Sequence, residues 1–381
     1  MSMPEKSFDC VIVGGGIIGL AIAWRTSQLG LSVAMLERDH PARSASWVAA
    51  GMLAPVTEVS YGEEELLAFN LEAAARYPSF VQELSRSSGI PLELSKNGTL
   101  FVAFDRDQKE ALEVLFEFQS SLGLDAEWIG DGRLRELEPG LRSSARAAVL
   151  ARNDRAIDPR VLTGALLEAA QREGTLIFPE TEVTSISIQG SNCTGVRTAS
   201  GDEFKTTNVV VAAGSWSGSI EGMPAEIREN LRPVKGQLMH LKPGGGLSGP
   251  VEHIIRTEEI YLVPRADGSI VAGASVEEKG FDTTITAGEI YELLRSADEA
   301  VPGIREMELA ATISGLRPGT PDNRPLIGPT SIQGLVVATG HFRNGILQTA
   351  VTADAVARFV VKGEALPEMK PFHPERFAVA T

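Results

Sequence analysis

An α/β fold with a second, mostly antiparallel β domain (α+β) is predicted by three features of this 381-residue sequence. First, an apolar run, Cys10-Val11-Ile12-Val13, enters Gly14-Gly15-Gly16-Ile17-Ile18-Gly19 and then a helical pattern. Second, two further apolar runs end in glycine, Val209–Gly214 at mid-chain and Leu335–Gly340 near the end. Such runs read as strands buried on both faces of a parallel sheet. Third, strand candidates alternate with Gly and Pro turns between residues 226 and 318, which reads as antiparallel structure.

The first feature is a dinucleotide-binding fingerprint in its required setting of strand, turn and helix. Gly14 permits the tight turn, Gly16 lets a pyrophosphate approach the backbone, and Gly19 lets the helix pack closely on the strand. The helix N-terminus offers free N–H groups and a partial positive charge to phosphates. Glu37 ends a second apolar run, Leu31–Leu36, where a carboxylate accepts both ribose hydroxyls and disfavours a 2′-phosphate. The expectation is a Rossmann-like domain.

The elements follow in order. Ile17–Leu29 is a helix closed by Gly30, and Leu31–Leu36 a buried strand. Glu63–Ser88 reads as a long helix interrupted at Pro78, Gly98–Phe104 as a strand and Gln108–Leu122 as an amphipathic helix. Asp158-Pro159 starts a helix that runs to Gly174, with Asp as cap and Pro at the first position. Leu176–Phe178, Val183–Ile188, Gly195–Thr198 and Glu203–Thr206 read as a small meander of strands. Gly236–Leu241, Glu259–Val263, Ser269–Ala274 and Ala310–Leu316 are the strands of the antiparallel region, interrupted by a helix at Ala287–Ala300. The chain closes with strand Leu335–Thr339 and helix Gly345–Val361. The nucleotide-binding domain is therefore expected to be discontinuous: residues 1–88, 150–225 and 319–370, with 89–149 and 226–318 forming a substrate-binding domain.

Bulk properties narrow the function. The net charge of −15 repels phosphate backbones and anionic surfaces, so nucleic acid is not expected as a partner. The two cysteines, Cys10 and Cys193, form no CxxC motif and suggest no disulfide framework. The five histidines have no ligand spacing, so no metal is expected. No apolar stretch is long enough for a membrane span, and the N-terminal run lacks the basic flank and cleavage site of a signal peptide. A cytoplasmic location is the expectation.

Four motifs carry a family resemblance over nearly the whole chain. They are Ala49-Ala50-Gly51-Met52-Leu53, Val211-Ala212-Ala213-Gly214-Ser215-Trp216, Gly315-Leu316-Arg317-Pro318-Gly319-Thr320-Pro321-Asp322 and Gly340-His341-Phe342-Arg343-Asn344-Gly345-Ile346-Leu347. With them the sequence resembles the FAD-dependent oxidoreductases of the D-amino-acid-oxidase type, which have a GR2-type Rossmann-like domain, and within them the glycine oxidases. The resemblance implies FAD, with Gly14, Gly16, Ile17, Ile18 and Gly19 at the pyrophosphate and Glu37 and Arg38 at the adenosine. Ser46, Trp47, Gly51, Met52 and Leu53 would line the flavin, Val183 would sit on the adenine side, and Gly214 lies in the mid-chain motif. His341, Phe342, Arg343, Asn344, Gly345, Ile346 and Leu347 would cap the isoalloxazine, with a helix starting near Gly345 aimed at its carbonyl oxygen. A helix N-terminus there stabilises the negative charge of a reduced flavin. Related sarcosine oxidases attach the flavin to a cysteine near positions 321–322; none stands there in this chain, so non-covalent FAD is implied.

The implied reaction is oxidation of glycine or a similar small amino acid or amine, with hydride leaving to flavin N5 and oxygen as acceptor. No side chain is needed as a catalytic group. The resemblance gives Arg317 the substrate carboxylate, with Arg343 and Tyr261 beside it and Val276 near the substrate. Other readings stay open: Arg317 bonding turn carbonyls, Arg343 paired with an acid, Tyr261 as core and His341 as packing. Val276 and Glu259 stand where glycine oxidases carry methionine and histidine, so the preferred amine can differ from glycine. A carrier-linked D-amino-acid or secondary-amine dehydrogenase is the rival enzyme, and a non-catalytic flavin-binding protein the rival of another class. The resemblance also implies a homotetramer and a link to thiamine thiazole synthesis.

Overall fold

The computed structural model describes residues 6–244 and 249–377. Among the described residues a six-stranded sheet has the order Leu326–Pro329, Leu335–Thr339, Val209–Val211, Cys10–Val13, Val33–Leu36 and Leu176–Phe178. Its pairs are parallel except the first. The three apolar runs from the start, middle and end of the chain thus lie side by side. Val13, Val211 and Val337 share one register level. Their carboxyl ends converge, and such ends are where open α/β sheets bind ligands.

Both faces of this sheet are covered, which explains the unbroken apolarity of its central strands. Helices Ile17–Gln28, Glu64–Ser88, Pro159–Arg172 and Thr349–Lys362 pack on one face through Leu20, Trp24, Tyr77, Leu84, Leu166 and Val356. The other face meets a meander of Val183–Gln189, Asn192–Thr198 and Glu203–Lys205, through Ile186, Val196 and Phe204. Asp158 caps its helix as expected, accepting from the backbone N–H of Arg160 and Val161.

Three expectations need correction. Leu176–Phe178 leaves the meander and pairs in parallel with Val33–Leu36. Glu64–Ser88 runs through Pro78 without interruption. A proline inside a helix costs ~3 kcal/mol. Burial of Tyr77, Phe80, Val81 and Leu84 around it, at ~1.5–3 kcal/mol for each large side chain, outweighs that cost. The last helix is regular only from Thr349, not from Gly345. A tighter turn at Phe342–Asn344 precedes it, and the Gln348 N–H donates to the Asn344 carbonyl at 2.9 Å, so helical bonding begins one turn early.

A second, eight-stranded sheet has the order Glu308–Gly319, Arg232–Lys242, Ile270–Gly273, Tyr261–Pro264, Ile254–Arg256, Thr99–Ala103, Ala147–Ala151 and Glu127–Gly130. It is antiparallel except where Ile254–Arg256 meets Thr99–Ala103. One face packs on helix Ala287–Ala300 through Met239, Leu262, Leu293 and Ala297. The other side gives a small cluster in which Leu238, Val263 and Val271 meet Ala50 and Ala156. That contact brings the second sheet against the segment around Ala50, which follows the strand Val33–Leu36, and against Ala156, just before helix Pro159–Arg172.

Candidate active site

A cavity of about 500 Å³ is lined by residues of both sheets, within the size range of small-molecule sites. At its nucleotide side, helix Ile17–Gln28 begins at Gly16 with no side-chain cap and no acid in its first turn. Its leading N–H groups and dipole therefore face the cavity. The Ile17 N–H donates to Ser46 Oγ at 3.0 Å. Gly14 has φ +108°, and a Cβ there would lie 2.5 Å from the Ala212 carbonyl oxygen. A Cβ at Gly19 would lie 2.0 Å from the Gly14 oxygen, so this glycine sets the contact between helix and strand. Glu37 accepts from the N–H groups of Gly15 at 2.6 Å and Asp39 at 3.0 Å, so it also holds the glycine turn. Arg38 stacks 3.8 Å over the Trp216 ring to form a wall.

At the other side, glycines flatten the second sheet. Gly236 and Gly315 face each other across neighbouring strands, and Gly273 pairs with Tyr261. A Cβ at Gly273 would lie 3.0 Å from the Tyr261 hydroxyl. In the room so left lies the Arg317 guanidinium, whose Nη1 donates to the carbonyls of Ser275 at 3.1 Å and Lys235 at 3.4 Å. Among the described residues Arg317 has no carboxylate partner. Burial raises the pKa of the adjacent Tyr261 hydroxyl, and the Arg317 charge opposes that shift. The phenol is therefore neutral and can donate.

Arg343 is placed differently. Its guanidinium meets Glu58 at 3.3 Å and Glu63 at 3.5 Å, the acid-paired alternative that the sequence left open. Glu58 also faces Arg256, 3.9 Å away. Burial lowers the pKa of Arg256, whose Nη1 donates to the Thr57 carbonyl and whose guanidinium lies 4.9 Å over Phe101. His341 is buried, which pushes its pKa down to about 3, and its Nε2 contacts Thr352 Oγ1 at 3.1 Å. It is neutral and packed. Val276 stands at the cavity rim with 71 % of its surface exposed, and Glu259, also at the rim, accepts from Thr257 Oγ1 at 3.2 Å.

A family model described as FAD dependent oxidoreductase (DAO) matches residues 9–359. The chain belongs to the DAO family of FAD-dependent oxidoreductases. It is 30 % identical to the hydrogen cyanide synthase subunit HcnC of Pseudomonas aeruginosa, over 98 % of this chain and 97 % of that protein. It is 32 % identical to the bifunctional protein ThiO/ThiG of a Synechocystis species, over 99 % of this chain but 55 % of that longer protein. The crystal structure of glycine oxidase from Geobacillus kaustophilus superposes with a TM-score of 0.91 at 30 % identity, covering 98 % of this chain and 99 % of that one.

The donors of the cavity fit FAD. The helix start, where among the described residues a side chain meets only the Ile17 N–H, through Ser46 Oγ, and the bare backbone at Gly16, where a Cβ would meet nothing nearer than that oxygen at 3.6 Å, suit a pyrophosphate. Glu37, Arg38 and Val183 line the cavity on the side of the glycine turn, and Gly51, Met52, Gly214 and the 341–346 turn line the remainder. Both cysteines are buried and neither lines the cavity, in keeping with a non-covalently held flavin.

Most residues singled out from the sequence line this cavity: Gly14, Gly16, Ile17, Ile18, Glu37, Arg38, Ser46, Gly51, Met52, Val183, Gly214, Tyr261, Val276, Arg317 and the run from His341 to Ile346. Four do not. Gly19 serves the helix–strand contact. Trp47 turns aside, sandwiched by Arg43 at 4.1 Å and Arg160 at 4.6 Å. Leu53 alternates with Met52 on a short strand, so Met52 faces the cavity and Leu53 enters the core. Leu347 is buried in the same core. Glu58 and Arg256 were missed. An acid amid turn residues and an arginine after two isoleucines carry no motif.

Proposed function

We propose that the protein oxidises glycine or a similarly small (D-)amino acid or amine to the imino acid, which water hydrolyses to the 2-oxo acid and ammonia, with oxygen taking the electrons as hydrogen peroxide. The observation that carries this reading is Arg317. It is a part-buried guanidinium that lines the cavity, lacks an acid partner among the described residues, and rests on two carbonyls beside a neutral tyrosine. A guanidinium held in this way suits bidentate binding of a carboxylate. Tyr261 donates to the same carboxylate, fixing the α-carbon against the cofactor. Bound FAD supplies the hydride acceptor at N5. The neutral His341, bonded to Thr352, takes no proton, and the substrate amine enters as the free base. Likeness to glycine oxidase supports the small substrate, and likeness to ThiO/ThiG supports a place in thiamine thiazole synthesis.

The second reading is a dehydrogenase that passes electrons to a carrier or to a partner protein, and likeness to HcnC, by its name one subunit of a larger enzyme, supports such a partner. One experiment separates the two. Glycine is added without oxygen to the purified holoprotein and the visible flavin bands are followed, then air is readmitted and peroxide assayed. Bleaching that air reverses, with peroxide, supports the oxidase. Bleaching that only an added acceptor reverses supports the dehydrogenase. Bands that glycine, D-alanine, D-proline and sarcosine all leave unchanged would overturn both.

A further inference from the structure

Glu58 stands in the substrate side of the cavity between two guanidiniums, 3.3 Å from that of Arg343 and 3.9 Å from that of Arg256. It is the only carboxylate that both arginines share among the described residues, and 18 % of its side chain is exposed. Its influence reaches the substrate anchor, since its negative charge adds to the upward shift of the Tyr261 hydroxyl that burial dominates.

This acid is fixed from below. The turn that carries it is clamped by the buried carboxylate of Asp154, which accepts from the N–H of Val56 at 3.2 Å, the N–H of Thr57 at 3.1 Å and Thr57 Oγ1 at 2.6 Å. Gln119 Nε2 donates to the Val56 carbonyl at 2.9 Å, and the Glu58 N–H donates to the Ala54 carbonyl at 3.1 Å. Glu58 is therefore presented by an anchored turn. Of the four arginines lining the cavity, Arg38 stacks on Trp216 at the nucleotide side, and the fold supplies a carboxylate of its own to two of the other three, Arg256 and Arg343. Arg317 alone is left for the substrate.

We propose that Glu58 is a built-in carboxylate that occupies Arg256 and Arg343 and so restricts the site to substrates with one carboxylate. The proposal rests on the reading of Arg317 as the substrate anchor. A second carboxylate on the substrate would meet the charge of Glu58, with Glu258 and Glu259 on the same cavity wall. Like charges so placed act against binding. With Glu58 neutral, Arg256 keeps the Thr57 carbonyl but has no carboxylate in ion-pair contact among the described residues, while Arg343 keeps Glu63. A dicarboxylic ligand anchored at Arg317 then finds a receptive cation.

The test is ligand binding to the holoprotein, followed by perturbation of the flavin spectrum, with acetate as the monocarboxylate and malonate, succinate and glutarate as dicarboxylates. Glu58→Gln removes the charge and keeps the shape; Glu58→Ala removes both. The expected result is preference for acetate in the wild type and a gain of roughly tenfold or more in the dicarboxylate-to-acetate affinity ratio in both variants. Adding Arg256→Met to Glu58→Gln should cancel the gain. If the alanine variant does not fold, Glu58→Gln alone decides. A wild type that binds acetate, with a ratio unmoved by Glu58→Gln, overturns this proposal and leaves Arg317 as the anchor. A wild type that binds no carboxylate overturns the anchor and this proposal together.

Discussion

Gly236 and the Arg317 guanidinium lie against one another so closely that a Cβ at position 236 would stand 2.4 Å from both terminal nitrogens of the arginine. The missing side chain lets the guanidinium lie flat on the sheet. The guanidinium is the end of a flexible side chain held by hydrogen bonds to two carbonyls, so Gly236→Ala should fold and displace Arg317 by up to about an ångström. Misplacement on that scale costs about 10²-fold in rate. We predict a loss of that order in kcat/KM for the amine, carried mainly by KM, with the flavin spectrum and Tm close to wild type. An unchanged KM would remove Arg317 from the carboxylate site.

Glu37 has two tasks, and one substitution can separate them. Its carboxylate holds the Gly15 and Asp39 N–H groups, and it lines the cavity where a ribose is expected. Glu37→Gln keeps an acceptor for one N–H and loses the charge. A hydrogen bond to a charged group is worth ~1.5–3 kcal/mol, so FAD affinity should fall by roughly 10- to 100-fold. Fluorescence titration of the apoprotein with FAD reads this directly. Equal losses for FAD and FMN would assign the effect to the glycine turn, because FMN carries no adenosine ribose.

Much of this arrangement was legible in the sequence because local chemistry dictated it. Gly14, Gly16 and Gly19 sit at a turn where backbone geometry leaves few alternatives, and Asp158-Pro159 is a self-contained helix start. What stayed hidden depends on partners distant in sequence. Gly236, Gly273 and Gly315 fall inside strands already expected from the sequence, but only their partners across the sheet show that they form the flat floor under Arg317 and Tyr261. Pro78 reads as a helix break, and only the core packed around Tyr77 and Phe80 shows why it is not. Glu58 gains its meaning from Arg256, almost two hundred residues away. Strand alternation could have separated Met52 from Leu53, but the strand is two residues long and too short to show a period.

Behind Arg317 lies a buried ion pair. Lys235, 1 % exposed, meets Glu277 at 3.4 Å, and Asp282 is farther at 3.9 Å. Glu277 also accepts from Ser275 Oγ at 2.6 Å and Gln237 Nε2 at 2.8 Å. The backbones of Lys235 and Glu277 bond reciprocally, at 2.9 and 3.0 Å, and so fix the carbonyl shelf of Arg317. Glu277→Gln leaves a buried ammonium without its nearest partner. Breaking such a pair costs ~3–5 kcal/mol, and Asp282 places the expectation near the lower end. Thermal unfolding of the holoprotein should show a lower Tm, and Lys235→Met with Glu277→Leu should recover most of it. A double variant as unstable as the single one would show that the shelf, not the buried charge, was lost.

Asp154 makes stability depend on pH in an unusual direction. Burial pushes its carboxyl up to about 7 against the three hydrogen bonds from Val56 and Thr57, and the nearby charge of Glu58 adds to the rise. A raised carboxylate pKa means that the folded protein binds this proton more tightly than the unfolded chain does. Its contribution to stability is therefore greatest below the unfolded value near 4 and is lost as pH rises to about 7, where it levels off. A shift of three units corresponds to at most about 4 kcal/mol. Asp154→Asn removes the titration and keeps one acceptor for the turn. Subtracting its stability profile from that of wild type between pH 4 and 8 should leave a falling slope for this one group, whatever the other carboxylates do. A flat difference would mean that Asp154 is ionised throughout. The N–H groups of Val56 and Thr57 would then outweigh burial, and the turn that presents Glu58 would be held by a permanent charge.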